Sequence, residues 1–273
     1  MNRTNLTVIT PDGIGDPWSE AWAYRELLYF TVWRDLRVRY RHIGLGAAWA
    51  IVQPFTMMIV LSLVLGLMAG VPADGAPYPV FTYAGLVPWI YFASAVTHGA
   101  SSLVSIQDFV ATVYFPRLIV PLAAVLVPLV DAVLAFAVLT LMMAWYGIAP
   151  GPALIALPAF VLLAVVFAAS ATTWLSALNV KYRDVRFVVP FLLQFGLFAT
   201  PVAYPSSLVP EPWRGLYALN PMVTVVDGFR WALISTPAPT GVMLLASTCT
   251  VVVTLALGLQ YFRRMERVFA DVL

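Results

Sequence analysis

Six runs of predominantly apolar residues, each near the length a helix needs to cross a lipid bilayer, dominate this chain. They lie over about 47–70, 80–104, 118–144, 152–178, 187–204 and 241–262. A helix rises about 1.5 Å per residue, so roughly 20 residues cover a hydrocarbon core of about 30 Å. The first, fourth and sixth runs hold no Asp, Glu, Lys or Arg, and the third holds only Asp131. The fifth is the shortest and carries Pro190 and Pro201, tolerated in membrane helices where neighbouring groups satisfy the freed carbonyls. Only 10% of the 273 residues are charged and 62% are hydrophobic. Soluble domains carry about 25% charged residues, so lipid is the natural solvent for this surface. The fold class that follows is all-α: a polytopic membrane protein of six transmembrane helices.

The basic residues set the orientation. Arg3, Arg25, Arg34, Arg37, Arg39 and Arg41 precede the first run, and Arg117 separates the second from the third. Lys181, Arg183 and Arg186 separate the fourth from the fifth, and Arg263, Arg264 and Arg267 follow the sixth. Only Arg214 and Arg230 fall on the other side. The positive-inside rule makes the first side cytoplasmic, with both termini there and an even number of crossings. The polar start, Met1 to Asp16, lacks the short apolar core of a signal peptide, so insertion is expected to be directed by the spans themselves.

Two segments do not read as spans. Residues 1–46 form a cytoplasmic N-terminal segment in which about 17–41 reads as an amphipathic helix lying in the membrane interface. There Trp18, Trp22, Leu28 and Trp33 recur at near-helical spacing, and Asp35 and Arg39 stand four apart and can pair. Residues 205–240, within the transmembrane domain 47–273, hold two apolar pieces punctuated by six prolines and too short to cross. They read as re-entrant helices before the last span, a backbone course tolerated only where it lines a cavity or is buried in protein. The plainer reading is an ordinary extracytoplasmic loop.

Several chemistries are absent from the sequence. The single lysine, Lys181, follows Leu178, Asn179 and Val180, and no GxxxxGK[ST] phosphate loop exists. The two histidines, His42 and His98, have no metal-site spacing, so no metal is expected. No GxSxG elbow or paired carboxylates suggest an active site. Cys249 is a lone thiol in an apolar run and excludes an internal disulfide. Transport is the favoured class, with no catalytic residues on this chain. Asp131 leaves room for a proton-coupled transporter acting alone.

Ordered matches along the chain carry a family resemblance. YRELLYFTVWRDLRVRYRHIGLGAAWAIVQP (24–54), YAGLVPWIYFASAV (83–96), VYFPRLIVPLA (113–123), LNVKYRDVRFVVPFLLQ (178–194), TPVAYP (200–205) and LNPMVTVVDGFRWAL (219–233) resemble, in order, ABC type-2 exporter permeases for lipid-linked polysaccharides such as O-antigen. The resemblance implies a homodimer working with two copies of a separate ATPase subunit, which would hold ATP and Mg. It implies an undecaprenyl-diphosphate-linked glycan as substrate and a bacterial inner (plasma) membrane location. It also implies a cytoplasmic coupling helix within 104–117 that docks on the ATPase. Other amphiphiles, such as teichoic acid, capsule or a drug, remain alternatives, as does a membrane-embedded glycan-modifying enzyme.

Four groups of candidate residues follow. Arg34, Arg37 and Arg41 share a helix face and suit a diphosphate at the entry site, or else hold anionic lipid and fix topology. Asp108, Phe109, Tyr114 and Phe115 fall in the coupling segment, where aromatic anchors could fill a cleft on the ATPase. Trp89, Tyr91, Phe92, Phe195, Phe198 and Tyr204 could line a polysaccharide channel, or else serve as an aromatic belt and packing groups. Asp227 and Arg230, three apart, could pair and latch an extracytoplasmic gate.

Overall fold

The computed structural model describes residues 24–41, 43–106 and 115–266. Ten α-helices lie within them. They are α1 (Arg25–Arg39), α2 (Ile43–Leu61), α3 (Tyr78–Ser105), α4 (Ile119–Leu126), α5 (Pro128–Trp145), α6 (Leu157–Lys181), α7 (Val185–Phe198), α8 (Glu211–Tyr217), α9 (Pro221–Ile234) and α10 (Gly241–Glu266). Helix α2 continues through a π-helical turn, Ser62–Met68. Helices α4 and α5 stack end to end as one apolar stretch, Ile119–Trp145. Five helical stretches are long and apolar enough to cross a membrane.

Helix termini follow local chemistry. Proline stands in the first turn of α3, α5, α6 and α9, where its missing N–H costs no helical hydrogen bond. Asn220 caps α9 by accepting from the Met222 N–H at 3.1 Å. After α5, Gly147 adopts φ +69°, and the Gly147 and Ile148 N–H groups donate back to Ala144 and Met143. This left-handed turn closes the helix without a Cβ clash.

The fifth sequence run, expected over 187–204, is helical only to Phe198. Fourteen residues reach about 21 Å, less than a full hydrocarbon core. Pro201 and Pro205 cannot continue the hydrogen-bond ladder, and the chain turns through 199–204 instead. That turn leaves backbone carbonyls without helical partners, which matters for the site below.

Helix α3 stands at the centre. Helices α2, α4, α5, α6, α7 and α9 all pack on it, while α10 packs against α6 and α9. Eighteen of its 28 residues are buried. It is also the least apolar of the five spans. This order is physical: a helix facing lipid must be uniformly apolar, whereas an enclosed one can carry polar groups that find partners in protein.

The α3–α6 contact is built from small residues. Ala95, Gly99, Ala100 and Ser102 on α3 and Ala168, Ala169, Thr172, Ser176 and Asn179 on α6 are all buried. Thr172 donates to the Ala95 carbonyl at 3.4 Å, and Asn179 Nδ2 to the Ala100 carbonyl at 2.9 Å. A Cβ on Gly99 would lie 2.0 Å from Thr172 Cγ2, and one on Gly228 would lie 2.3 Å from the Phe160 ring. Only glycine permits either approach.

Helix α1 lies against α4. Leu27, Leu28, Thr31, Val32 and Leu36 turn inward and are half-buried, while Tyr29, Phe30, Trp33 and Val38 are exposed beside Arg34 and Arg37. The exposed side thus mixes rings with cations, as an interfacial helix does. Trp18 and Trp22 lie outside the described residues.

Gly99→Val is expected to cost about 1–3 kcal/mol by overpacking, read as a lower unfolding midpoint in detergent. Gly215→Ala, with nothing within 4 Å of the added Cβ, is expected to be neutral or slightly stabilising. Wild-type stability in Gly99→Val would contradict the close approach.

Candidate functional site

Polar clusters sit at the two ends of the bundle, both built on α3. At its C-terminal end, Arg39 leaves α1 and forms an ion pair with Asp131 in the first turn of α5. The Tyr40 hydroxyl donates to the same carboxylate. Arg39 Nη1 also stands 3.3 Å from His98 Nε2 on α3. A guanidinium can only donate, so Nε2 accepts and a neutral His98 carries its proton on Nδ1. One cation thus ties α1 to two spans.

The sequence allowed Asp35 to pair with Arg39, and the structure corrects this. Asp35 pairs with its neighbour Arg34 at 2.9 Å, and Arg39 takes Asp131, whose side chain is only 14% exposed. A sheltered carboxylate has more to gain from a counter-ion than one facing water. Burial raises the Tyr40 phenol to about 12, helped by the hydrogen bond to Asp131. Its contribution is therefore whole below pH 10 and lost only as pH rises towards 12. Asp131 is engaged by two donors in this arrangement.

At the opposite end, Arg230 on α9 is 1% exposed. Its Nε donates to the Phe81 carbonyl at 3.1 Å, and Nη2 to that of Val202 at 2.6 Å. Nη1 donates to the carbonyls of Pro201 at 2.5 Å and Tyr204 at 3.3 Å. The guanidinium lies 3.5 Å from the centre of the Phe81 ring, a cation–π contact. Gly85 leaves it room, because a Cβ there would come within 2.8 Å of Nη2. The carbonyls released where Pro201 and Pro205 stop α7 are the ones that Arg230 satisfies.

The structure also corrects the pairing expected within α9. Asp227 is 7% exposed, yet it makes no ion pair with Arg230, whose donors are spent on backbone oxygens. Burial pushes the Asp227 carboxyl up to about 6, opposed by a hydrogen bond from Ser206 and the Arg230 charge, while Asp74 adds to the rise. The two residues share an element but serve different neighbours.

The remaining candidates scatter. Arg34 is engaged with Asp35, Arg37 lies 5.6 Å over the Trp33 ring, and Arg41 follows the end of α1, exposed. Asp108, Phe109 and Tyr114 lie outside the described residues. Phe115 is turned inward, buried in a cluster with Leu103, Val180 and Phe262 that joins α3, α6 and α10. As folded, it anchors the segment's end and cannot also fill a partner's cleft.

The channel aromatics divide in two. Trp89, Tyr91 and Phe92 are enclosed within the subunit. Trp89 fits against Gly196, Phe92 stacks on Phe167 with centroids 4.8 Å apart, and the Tyr91 hydroxyl donates to the Val125 carbonyl at 3.3 Å. Phe195 and Phe198 are exposed. With Phe187 and Phe191, also exposed, they form one stripe along α7. Tyr204 closes the turn after α7, its hydroxyl 2.8 Å from that of Tyr217.

His98 and Tyr40 are the residues that sequence reasoning missed. A signal was present: Ser94, His98, Ser101 and Ser105 fall at i, i+4, i+7 and i+11, a polar stripe on an otherwise apolar span. Such a stripe predicts a protein-facing side rather than a lipid-facing one.

This architecture defines a polytopic helical membrane protein. The chain belongs to the ABC-2 type transporter family, whose family model matches residues 26–234. It is 33% identical over 255 residues to an O-antigen export system permease protein RfbA of Myxococcus xanthus, covering 92% of this chain and 97% of that protein. An RfbA permease of Klebsiella pneumoniae is 26% identical over 91% of this chain and 95% of its own length. The polysialic acid transport protein KpsM of Escherichia coli is 23% identical over 85% and 91%. The chain is a transport subunit rather than an enzyme, and membership of the family implies an ATPase partner.

Arg230→Met leaves the Pro201, Val202 and Tyr204 carbonyls of the turn without their donor and is expected to cost several kcal/mol at roughly 1–3 kcal/mol per orphaned group, read as a large drop in unfolding midpoint. Arg230→Lys keeps the charge but not the planar fork, and should recover only part of it. For the other cluster, a double-mutant cycle of Arg39→Gln and Asp131→Asn is expected to show coupling of about 1–3 kcal/mol. Additive losses would mean that the pair does not hold α1.

Proposed function

We propose that this chain is the permease of an ATP-driven exporter that moves an undecaprenyl-diphosphate-linked polysaccharide of the O-antigen type across the bacterial inner membrane. The observation that carries the reading is near end-to-end similarity, at 33% identity, to a permease named for O-antigen export. The more distant likeness to a polysialic acid transport protein favours a capsule-type glycan as second reading.

In this account six crossings place both termini in the cytoplasm, with α7 and the turn after it serving as the fifth. Thirteen of the 15 basic residues then face the cytoplasm, as the positive-inside rule requires. Helices α8 and α9 are re-entrant. Two copies of the chain enclose the path and two ATPase subunits, holding ATP and Mg, drive it. The exposed stripe of Phe195 and Phe198 on α7 suits a sliding polymer, because ring faces stack on sugars without demanding one register. Arg34, Arg37 and Arg41 receive the lipid diphosphate, and Asp108, Phe109 and Tyr114 engage the ATPase. At the outer end Arg230 fastens α9 to the start of α3 and to the turn after α7, so a gate that includes α9 and Asp227 moves with both.

The test is co-purification with the ATPase encoded beside it, then hydrolysis in liposomes with and without a lipid-linked glycan. A stable complex whose hydrolysis changes with the glycan is expected, with Phe109→Ala weakening both association and coupling. Failure to bind any ATPase would overturn the reading.

A further inference from the structure

A cavity of about 460 Å³ lies at the α1 end of the bundle, between α1, the end of α3 and the α4–α5 junction. Its polar lining includes Arg34, Asp35, Arg39, His98, Ser101 and Ser105. Ser105 ends α3 and is in the lining, so the cavity opens beside the end of that span. Tyr29, Phe30 and Trp33 on α1, the helix that lines one side of the cavity, are exposed, and such rings favour the headgroup layer. Val120, Ala124 and Val127 give the cavity an apolar side. The volume falls in the range of small-molecule sites, about 300–1,000 Å³.

The charges select the ligand. Arg34 and Asp35 form an adjacent pair, and Arg39 is balanced by Asp131 just behind the wall. The four formal charges cancel, which suits a zwitterion better than a multiply charged anion. Arg34 uses Nε and Nη2 on Asp35, and Arg39 uses Nη1 on His98 and Nη2 on Asp131, which leaves further N–H donors on each fork, and such forks match phosphate oxygens. The serine protons are spent on the helix itself: Ser101 Oγ donates to the Thr97 carbonyl at 3.2 Å and Ser105 Oγ to that of Ser102 at 2.7 Å. What these hydroxyls offer the cavity is lone pairs, alongside the second Asp35 oxygen. Those are acceptors for a primary ammonium. A quaternary ammonium is recognised by aromatic faces, and no Trp, Tyr or Phe is among the described residues lining the cavity.

We infer that this cavity seats the headgroup of an ethanolamine-type phospholipid, its phosphate on Arg34 and Arg39 and its ammonium on Asp35, Ser101 and Ser105. The ligand is a bilayer lipid and not the cargo, so Arg34 is withdrawn from the entry group of the proposed function, and Arg37 and Arg41 are left to the lipid diphosphate. A bound headgroup would bridge α1 to α3 beside the Arg39–Asp131 contact, steadying α1.

Native mass spectrometry of the delipidated full chain tests this, with phosphatidylethanolamine, phosphatidylcholine, phosphatidylglycerol and a polyprenyl diphosphate added in equal amounts. One retained phosphatidylethanolamine, about tenfold preferred over the others, is expected. Arg34→Gln combined with Asp35→Asn, both on an exposed part of α1, should abolish the preference. Ser105→Leu, which fills the cavity from an exposed position, should do the same, whereas Arg37→Gln, outside the lining, should not. Equal retention of all lipids, or a preference unchanged in both cavity variants, would overturn the inference. Selective retention of the polyprenyl diphosphate would overturn it too, and would assign the cavity to the cargo.

Discussion

Close approach between α3 and α6 is the contact on which the rest of this fold depends. Lipid tails are as apolar as leucine, so burying leucine between two helices gains little over leaving it in the bilayer. Association has to come from dense packing and from hydrogen bonds that lipid cannot offer. Gly99 against Thr172, with alanines on both sides, brings the backbones near enough for Thr172 and Asn179 to reach carbonyls of α3. With α3 held at the centre, the other helices need only present apolar surfaces outward, and they do.

Two charged clusters lie to either side of this contact, each solving a problem that the chain creates for itself. Near α9, prolines stop α7 and strand carbonyls in a buried turn, and Arg230 supplies the missing donors. Near α1, a helix that crosses nothing must still be attached, and Arg39 and Tyr40 attach it through Asp131. Both solutions use arginine, whose planar fork serves several acceptors at once and whose charge persists in shelter. Both clusters are built on α3, which carries Phe81 at one and His98 at the other.

Much of this was legible in the sequence because lipid imposes a simple grammar. Length and apolarity located the five long helices, and the punctuation by prolines separated α8 and α9 from them. The extent of α7 was not legible: Phe198 and Tyr204 look equally at home in a span, and only the turn that Arg230 holds shows where the helix stops. Partner choice was also hidden. Spacing offered Asp35 to Arg39 and Asp227 to Arg230, but spacing along one helix says nothing of a carboxylate or a row of carbonyls arriving from elsewhere in the fold. Likewise Trp89, Tyr91 and Phe92 carry no mark that distinguishes a ring facing a path from one enclosed by neighbours. The polar stripe ending at Ser105 was readable, and it runs along the side of α3 that meets Arg39 of α1 rather than the side packed on α6.

The functional account places cargo movement in this chain and energy in a separate one. It requires that glycan synthesis continue when the permease is lost, with the product left on the wrong side. The direct measurement is the location of lipid-linked glycan in cells lacking this chain, followed by labelling from outside and by extraction from inverted membrane vesicles. The account predicts that surface glycan disappears while lipid-linked glycan accumulates on the cytoplasmic face. Unchanged surface glycan, with no cytoplasmic accumulation, would contradict it.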